Sequence, residues 1–140
     1  MGKFKNVFII IILASVIGVG AAFFFSQKTS SSEEKALTAE ELVELSIDTD
    51  IITTNLASAS NFAVVQFNIA LDNEKAKEET EKRTSEVRAA IISTIAGFTK
   101  EDLVSKDGIA ALEEQLTTKL NEMLEKGNVE RVLVTEFKVQ

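Results

Sequence analysis

The sequence predicts an α+β protein, in which a single N-terminal transmembrane helix precedes a small domain with an antiparallel sheet and helices on one face. Three observations lead to this prediction. Residues 7–25 form an uncharged apolar run, residues 26–37 are rich in Ser and charge, and residues 38–140 alternate between strand and helix periodicity. We therefore expect a cytoplasmic tail at residues 1–6, a transmembrane helix at 7–25, a flexible tether at 26–37 and an extracytoplasmic domain at 38–140.

The apolar run has the length and composition of a membrane span. Its 19 residues include 13 Val, Ile, Leu or Phe, and at about 1.5 Å per residue they make a helix of roughly 28 Å, close to the hydrocarbon thickness of a bilayer. Lys3 and Lys5 precede the run, which places the N-terminus in the cytoplasm. Small residues at 20–22 leave a cleaved signal peptide as the alternative, although the run exceeds a normal signal-peptide core.

Three small residues in the predicted span share one helix face. Ala14, Gly18 and Ala22 recur at four-residue spacing, the pattern that lets two membrane helices approach closely. We expect this stripe to contact another membrane helix. The alternative is that small residues, which are common in such spans, align here without a partner.

The tether leads into a predicted short helix. Residues 26–37 contain one large apolar residue and cannot bury enough surface to order themselves. Thr38 stands three residues before Glu41, which is the spacing of a capping box. The helix that follows carries Leu42 and Leu45 on one side and is short enough to need a packing surface.

Three segments have strand character. Residues 46–56 are rich in Ile and Thr, the run ending at Leu71 alternates apolar and polar residues, and residues 57–61 between them have turn composition, which favours an antiparallel hairpin. The last segment, residues 128–140, is apolar on both faces at its middle, so we expect it to be a central strand with the C-terminus inside the fold. One predicted face of it carries Val129, Leu133, Phe137 and Val139, and the other carries Val132 and Val134.

The remaining segments predict helices. One begins at Asp72 or Asn73 and runs to a C-cap near Gly97, with apolar spacing only in its second half. Its charged first half, residues 74–86, is interpreted as a solvated face, with a docking surface as the alternative. A short turn starts at Thr99. A longer helix spans residues 106–126, and its predicted apolar stripe comprises Ile109, Leu112, Leu116, Leu120, Met123 and Leu124.

Composition excludes most function classes. The chain has 15 basic and 22 acidic residues, and residues 26–140 carry a net charge of −9, which argues against nucleic acid as a partner. Cys, His, Trp, Tyr and Pro are all absent, so thiol nucleophiles, Cys/His metal sites and imidazole triads are excluded. Without a phosphate-binding Gly-rich loop or a calcium loop, we predict no catalytic residue, metal, cofactor or small-molecule substrate. Asp48 and Asp50 are the nearest approach to a cation site, and an exposed polar strand face explains them more simply.

The C-terminal two thirds of the chain resemble the family of flagellar basal body-associated FliL proteins. The resemblance depends on TTNL at residues 53–56, EDL at 101–103, the Gly127-Asn128-Val129 triplet and the terminal TEFKVQ at 135–140. Two positions depart from the family pattern. Ala89 stands after Arg88 where the family usually has an acid, and Leu133 stands where an aromatic residue is frequent.

The family resemblance implies residues that hold the fold or contact a partner, and it implies the partners themselves. Those residues are Arg88, Asp102, Leu103, Gly108, Leu112, Asn121, Gly127, Phe137 and Gln140. By the same resemblance the outer domain is similar to the stomatin-like (SPFH) fold, associates into a homo-oligomer such as a ring, and supports stator units of the MotA/MotB type at the basal body, without enzymatic activity. Localisation in the inner membrane and a role in flagellar rotation, motility and chemotaxis follow from it.

Two alternatives stay open on the residues alone. A membrane-anchored sensing domain that captures a cationic ligand on its acidic surface would have the same composition. An exposed sheet edge in so small a domain also offers a pairing surface for a neighbouring subunit's strand.

Overall fold

Four strands and five helices follow one another between residues 36 and 140, the part of the chain that the computed structural model describes. The helices are α1 (Ala39–Glu44), α2 (Glu74–Lys82), α3 (Thr84–Ile95), α4 (Lys100–Val104) and α5 (Gly108–Met123). The strands are β1 (Ser46–Asp48), β2 (Ile52–Asn55), β3 (Phe62–Leu71) and β4 (Val129–Val139). All strand pairs are antiparallel, so the predicted α+β class is confirmed.

The predicted membrane segment is not among these elements. Residues 7–25, with Ala14, Gly18 and Ala22, and the tether up to residue 35 lie outside the described residues. Between residues 36 and 140, no helix is both long and apolar enough to cross a bilayer.

Strand β3 lies at the centre of the sheet. It pairs with β4 along one edge, and with β1 and β2, which lie end to end, along the other. The predicted hairpin connects β2 to β3, with the Leu56 N–H donating to the Asn61 carbonyl at 3.0 Å. The side chains of β3 alternate as expected, because the odd-numbered residues from Ala63 to Leu71 are all buried.

The predicted strand at residues 46–56 is interrupted. Asp48 pairs with Asn68 and Ile52 pairs with Val65, so the three residues 49–51 face only two residues of β3. The extra residue makes a bulge, and it divides the segment into β1 and β2.

Thr49 stabilises this bulge with both its backbone and its side chain. Its N–H donates to the Phe67 carbonyl at 2.9 Å, and its hydroxyl oxygen accepts the Phe67 N–H at 3.1 Å. The Gln66 amide donates to the Thr49 carbonyl at 2.9 Å. The backbone groups of β3 therefore keep partners where the ladder is broken.

The predicted central position of β4 is wrong, because β4 pairs only with β3 among the described strands. Register shifts beside Gln66/Phe67 and Ala70/Leu71 leave Thr135 and Glu130 as extra residues in β4. Each extra residue reverses the alternation of side chains. The apolar residues that consequently share the core face are Val129, Val132, Val134, Phe137 and Val139.

Leu133 belongs to the opposite face, where it pairs with Asn68. The two-sided apolar pattern of residues 128–140 thus comes from two changes of alternation within one edge strand. It does not indicate burial on both sides.

The core lies between the sheet and the helices, as predicted for helices on one face. Phe67 and Ile69 of β3 share the buried cluster with Ile91 of α3 and Leu116 of α5. The predicted stripe of the long helix is confirmed at Leu112, Leu116 and Leu120, although α5 ends at Met123, three residues earlier than expected. The opposite face of the sheet carries half-buried and exposed residues at the even-numbered positions from Phe62 to Asn68.

The predicted helix after Asn73 forms, but it is divided at Arg83. The Asn73 side chain caps α2 by accepting the Ala76 N–H at 3.0 Å, and the helix is interrupted at Arg83, whose φ is −102° and ψ is 29°. The expectation that only the far half is buried is wrong, since Glu79 and Thr80 are buried in the charged half. Ala96 is the C-cap, one residue before the predicted Gly97.

The predicted Thr38 cap is present, and the short turn predicted to start at Thr99 begins with a cap of the same kind. Thr38 forms a capping box with Glu41, and Thr99 forms one with Asp102. In the second box the Thr99 N–H donates to the Asp102 carboxylate at 2.9 Å, and this bond, with the Thr99 hydroxyl, holds the pKa of Asp102 below its usual value.

Two glycines allow close approach of the backbone. A Cβ at Gly108 would lie 2.1 Å from the Asp102 carbonyl oxygen, at the junction of α4 and α5. Gly127 has a φ of +154°, and a Cβ there would lie 2.2 Å from the Asn73 amide nitrogen.

Replacing Gly108 should therefore destabilise the domain strongly. We expect Gly108→Ala to lower the free energy of unfolding by about 2 kcal/mol or more, because α4 and α5 must move apart. Urea unfolding of the purified protein, followed by circular dichroism, measures the loss.

Gly97→Ala is the matched control, because its Cβ would lie 3.3 Å from the Thr94 carbonyl oxygen at an exposed position. It should change stability by less than about 1 kcal/mol. Equal losses in the two variants would contradict the packing assigned to Gly108.

Candidate partner-binding surface

A cleft opens beside the bulge that separates β1 from β2. It has a volume of about 430 Å³ and lies between this sheet edge and the helices α2 and α3. Buried apolar side chains form its floor, and charged side chains stand at its rim. The floor comprises Ile52, Val87 and Ile91, and the rim comprises Asp48, Asp50, Glu81 and Arg88.

The rim is predominantly acidic. Three exposed carboxylates face one exposed guanidinium, that of Arg88. Asp48 is oriented by the Asn68 side chain, whose amide donates to its carboxylate at 2.8 Å. The arrangement attracts positive charge above an apolar surface.

At the sheet edge next to the cleft, some backbone groups have no hydrogen-bond partner among residues 36–140. Leu56 donates to Asn61, and hydrogen-bonded pairs alternate along an antiparallel ladder. Thr54 and Ile52 are therefore bonded to β3, and Thr53 and Asn55 direct their N–H and C=O groups outward. Ile51 in the bulge is an exposed apolar side chain at the same edge, with 54% of its surface accessible.

The opposite edge of the sheet, along β4, is covered at two of its outward N–H groups. The Glu113 carboxylate of α5 accepts the outward Val134 N–H at 2.9 Å, and the Asn121 side chain accepts the Val129 N–H at 2.7 Å. The bulges at Glu130 and Thr135 twist the rest of this edge out of regular pairing. The two edges are therefore unequal, because among the described residues no side chain accepts an outward N–H of β2.

Glu79 connects the wall of the cleft to the rest of the domain. Its carboxylate accepts the backbone N–H groups of Glu125 at 3.0 Å and Lys126 at 2.9 Å, and it pairs with Arg83 at 3.1 Å. Arg83 also donates to the Met123 carbonyl and pairs with Glu86. These contacts attach the junction of α2 and α3 to the segment that follows α5.

The same contacts shift the titration of the carboxylates. Burial raises the pKa of Glu79. The N–H groups of Glu125 and Lys126 and the Arg83 guanidinium lower it by a larger amount together, so the pKa lies below its usual value. The Arg83 hydrogen bond also lowers the pKa of Glu86, while the two carboxylates raise the pKa of Arg83.

Eight of the nine residues singled out from the family resemblance contact other parts of the domain. Leu103 and Leu112 are fully buried, Phe137 is half-buried against the core, and Gly108 and Gly127 lie in tight backbone junctions.

The other three contribute hydrogen bonds. Asp102 caps α4, Asn121 holds the first residue of β4, and the Gln140 backbone exchanges two hydrogen bonds with Phe62. Arg88 is the exception, since it is exposed at the rim of the cleft. The structure does not bring the nine residues together into one site.

Sequence reasoning missed the Glu79–Arg83 pair. Its four-residue spacing gives no distinguishing signal, because residues 74–86 contain other such pairs, including the exposed Glu78–Lys82 pair at 3.6 Å. Asp48 and Asp50 do line the cleft, but no group of three or more acidic side chains suited to a metal occurs among the described residues.

Comparison with known proteins decides the family. The profile of the flagellar basal body-associated protein FliL family matches residues 46–140, which comprise all four strands and α2 to α5. The chain belongs to the FliL family. It is 35% identical to the flagellar protein FliL of Bacillus subtilis (strain 168) over 124 residues, which is 89% of this chain and 87% of that protein.

A second FliL relative is more distant. The flagellar protein FliL of Aquifex aeolicus (strain VF5) is 29% identical over 88 residues, which is 61% of this chain and 55% of that protein. Membership of the FliL family gives the chain a non-enzymatic accessory role at the flagellar basal body, in motility.

Removing the Glu79 charge should lower the stability of the domain by an amount that depends on pH. We expect Glu79→Gln to lower the urea midpoint at pH 7, because amide replaces the carboxylate that accepts two N–H groups and pairs with Arg83. The lowered pKa means that this stabilisation is present above the unfolded-state pKa of Glu and is lost as pH falls through the folded-state pKa. The difference between variant and wild type should therefore shrink below about pH 4.

Glu78→Gln is the matched control for this experiment. Glu78 is exposed and its ion pair with Lys82 is solvated, so the midpoint should stay close to that of the wild type at every pH. A Glu79→Gln midpoint equal to that of Glu78→Gln at pH 7 would exclude the attachment assigned to Glu79.

Proposed function

We propose that the chain is a single-pass protein of the inner membrane that supports the stator units of the flagellar motor. Residues 1–6 lie in the cytoplasm, residues 7–25 span the membrane, residues 26–37 form the tether, and residues 38–140 form the extracytoplasmic domain. One observation carries the proposal: a FliL-family match over residues 46–140 follows an uncharged apolar run of membrane-spanning length.

The tether sets how far the domain reaches from the membrane. Twelve residues extend to about 40 Å at roughly 3.3 Å per residue. A domain on such a tether is held near the membrane and can contact the outer part of a neighbouring membrane protein. This supports an accessory that grips stator units of the MotA/MotB type rather than one that acts at a distance.

The proposal includes self-association. The outer domain has an SPFH-like fold and assembles with other copies as a homo-oligomer such as a ring, while Ala14, Gly18 and Ala22 pack the membrane helix against another one. The resemblance of the residue pattern to the FliL family supports the ring, and four-residue spacing of small side chains supports the helix contact.

Deletion of the gene should impair rotation without preventing filament assembly. We expect cells of an in-frame deletion strain to swim slowly or stall, most clearly in viscous medium, because stator support matters most under load. Swimming speed in thin and viscous medium and filament counts by microscopy measure the effect, and return of the wild-type gene is the control.

The other outcomes of this experiment have separate meanings. Loss of filaments would place the chain in assembly of the flagellum and would contradict stator support. Normal swimming in both media would contradict the motor role and favour the sensing domain for a cationic ligand, for which the acidic rim of the cleft is the supporting feature.

A further inference from the structure

The open sheet edge and the cleft beside it form one continuous surface, here named the edge groove: β1, β2, the bulge at residues 49–51 and the cleft. We propose that the edge groove binds an extended segment of a partner polypeptide that carries a lysine or arginine. The segment adds to β2 as a further strand and places its basic side chain among the rim carboxylates. This assignment stands whether or not the chain supports stator units.

Backbone pairing supplies the first part of the recognition. Thr53 and Asn55 direct N–H and C=O groups away from β3 at the free side of β2, and an extended chain satisfies these groups without regard to its sequence. The Asn55 side chain is occupied, because its amide donates to the Ala59 carbonyl at 3.2 Å. The described chain pairs with this side only beyond the end of β2, where the Ala57 N–H donates to the Phe98 carbonyl at 2.9 Å.

The cleft supplies the selectivity. The aliphatic stem of a lysine or arginine packs on Ile52 and Val87, which form the apolar floor, while its charged end reaches the rim. There it meets Asp50 and Glu81, which are exposed and make no ion pair with Arg88. An acidic side chain in the same place meets repulsion from both carboxylates.

A second copy of this chain fits the edge groove poorly. Pairing of β2 with its own counterpart brings two acidic rims into one interface, each on a domain of net charge −9. Pairing of β2 with the β4 edge of another copy meets the bulges and the Glu113 and Asn121 side chains, which already hold two of its outward N–H groups. Charge and hydrogen bonding therefore favour a different, basic polypeptide.

The test measures binding of two fluorescently labelled peptides to the full chain in detergent by fluorescence anisotropy. Each peptide has eight residues in which threonine and valine alternate, except that one central residue is replaced. The replacement is arginine in the probe peptide and glutamate in the control peptide. We expect the arginine peptide to bind at least about tenfold more tightly than the glutamate peptide. Equal binding of the two, or binding of neither, would overturn the proposal.

Two variants separate the two parts of the recognition. Thr53→Pro removes an outward N–H that β3 does not use, so the fold is retained while strand addition is blocked. Asp50→Lys reverses a rim charge, and Glu122→Lys makes the same charge change on the exposed side of α5, outside the edge groove. Thermal unfolding of each variant shows that it is folded.

The expected pattern is specific. Thr53→Pro and Asp50→Lys should each weaken binding of the arginine peptide by about tenfold or more, while Glu122→Lys should bind within about twofold of the wild type. Wild-type affinity in folded Thr53→Pro would overturn strand addition. A loss in Glu122→Lys as large as in Asp50→Lys would show attraction to overall charge and would overturn the edge groove as the site. If Thr53→Pro abolishes self-association of the chain and neither peptide binds, the edge is an interface between copies and the proposal is wrong.

Discussion

The pairing of β3 along both of its edges is the constraint on which the rest of the domain depends. Its odd-numbered residues from Ala63 to Leu71 are fully buried and form the base on which α3 and α5 pack. Its backbone groups are hydrogen-bonded to β4 on one side and to β1 and β2 on the other. A one-residue slip of this strand would turn five buried side chains to the polar face, so the core fixes the register.

Because β3 cannot shift, the irregularities fall on its neighbours, and they make the two edges unequal. The extra residues Thr135 and Glu130 in β4 keep its apolar side chains on the core face, and α5 binds two outward N–H groups of that edge through Glu113 and Asn121. The extra residue between β1 and β2 has the opposite effect, since it opens the edge at the cleft. Glu79 and Arg83 then hold the helical wall of the cleft in place. An accessory protein without enzymatic chemistry acts through such surfaces, and the domain offers this one.

Sequence reasoning predicted what depends on periodicity and local hydrogen bonding. The alternation in β3, the apolar stripe of α5, the Thr38 and Asn73 caps and the short turn at Thr99 all follow from patterns within one segment. The bulges could not be predicted in this way. One inserted residue hardly changes the composition of a strand, and it can be recognised only once the pairing with the partner strand is known. For the same reason the central position of β4 was predicted wrongly. The role of Glu79 depends on backbone groups more than forty residues away in the sequence. Asp50 lines a cleft only because a helix lies on the other side of it, which the sequence around Asp50 does not indicate.

Amide hydrogen exchange of the full chain in detergent, resolved by residue, tests whether the β4 edge is covered at Val134 while the β2 edge is open at Thr53. We predict that the Val134 N–H, held by Glu113, exchanges at least about tenfold more slowly than the outward Thr53 N–H of β2. Thr54, which pairs with β3, should exchange as slowly as Val134. Exchange at Val134 as fast as at Thr53, or protection of Thr53 equal to that of Thr54, would contradict this difference between the two edges.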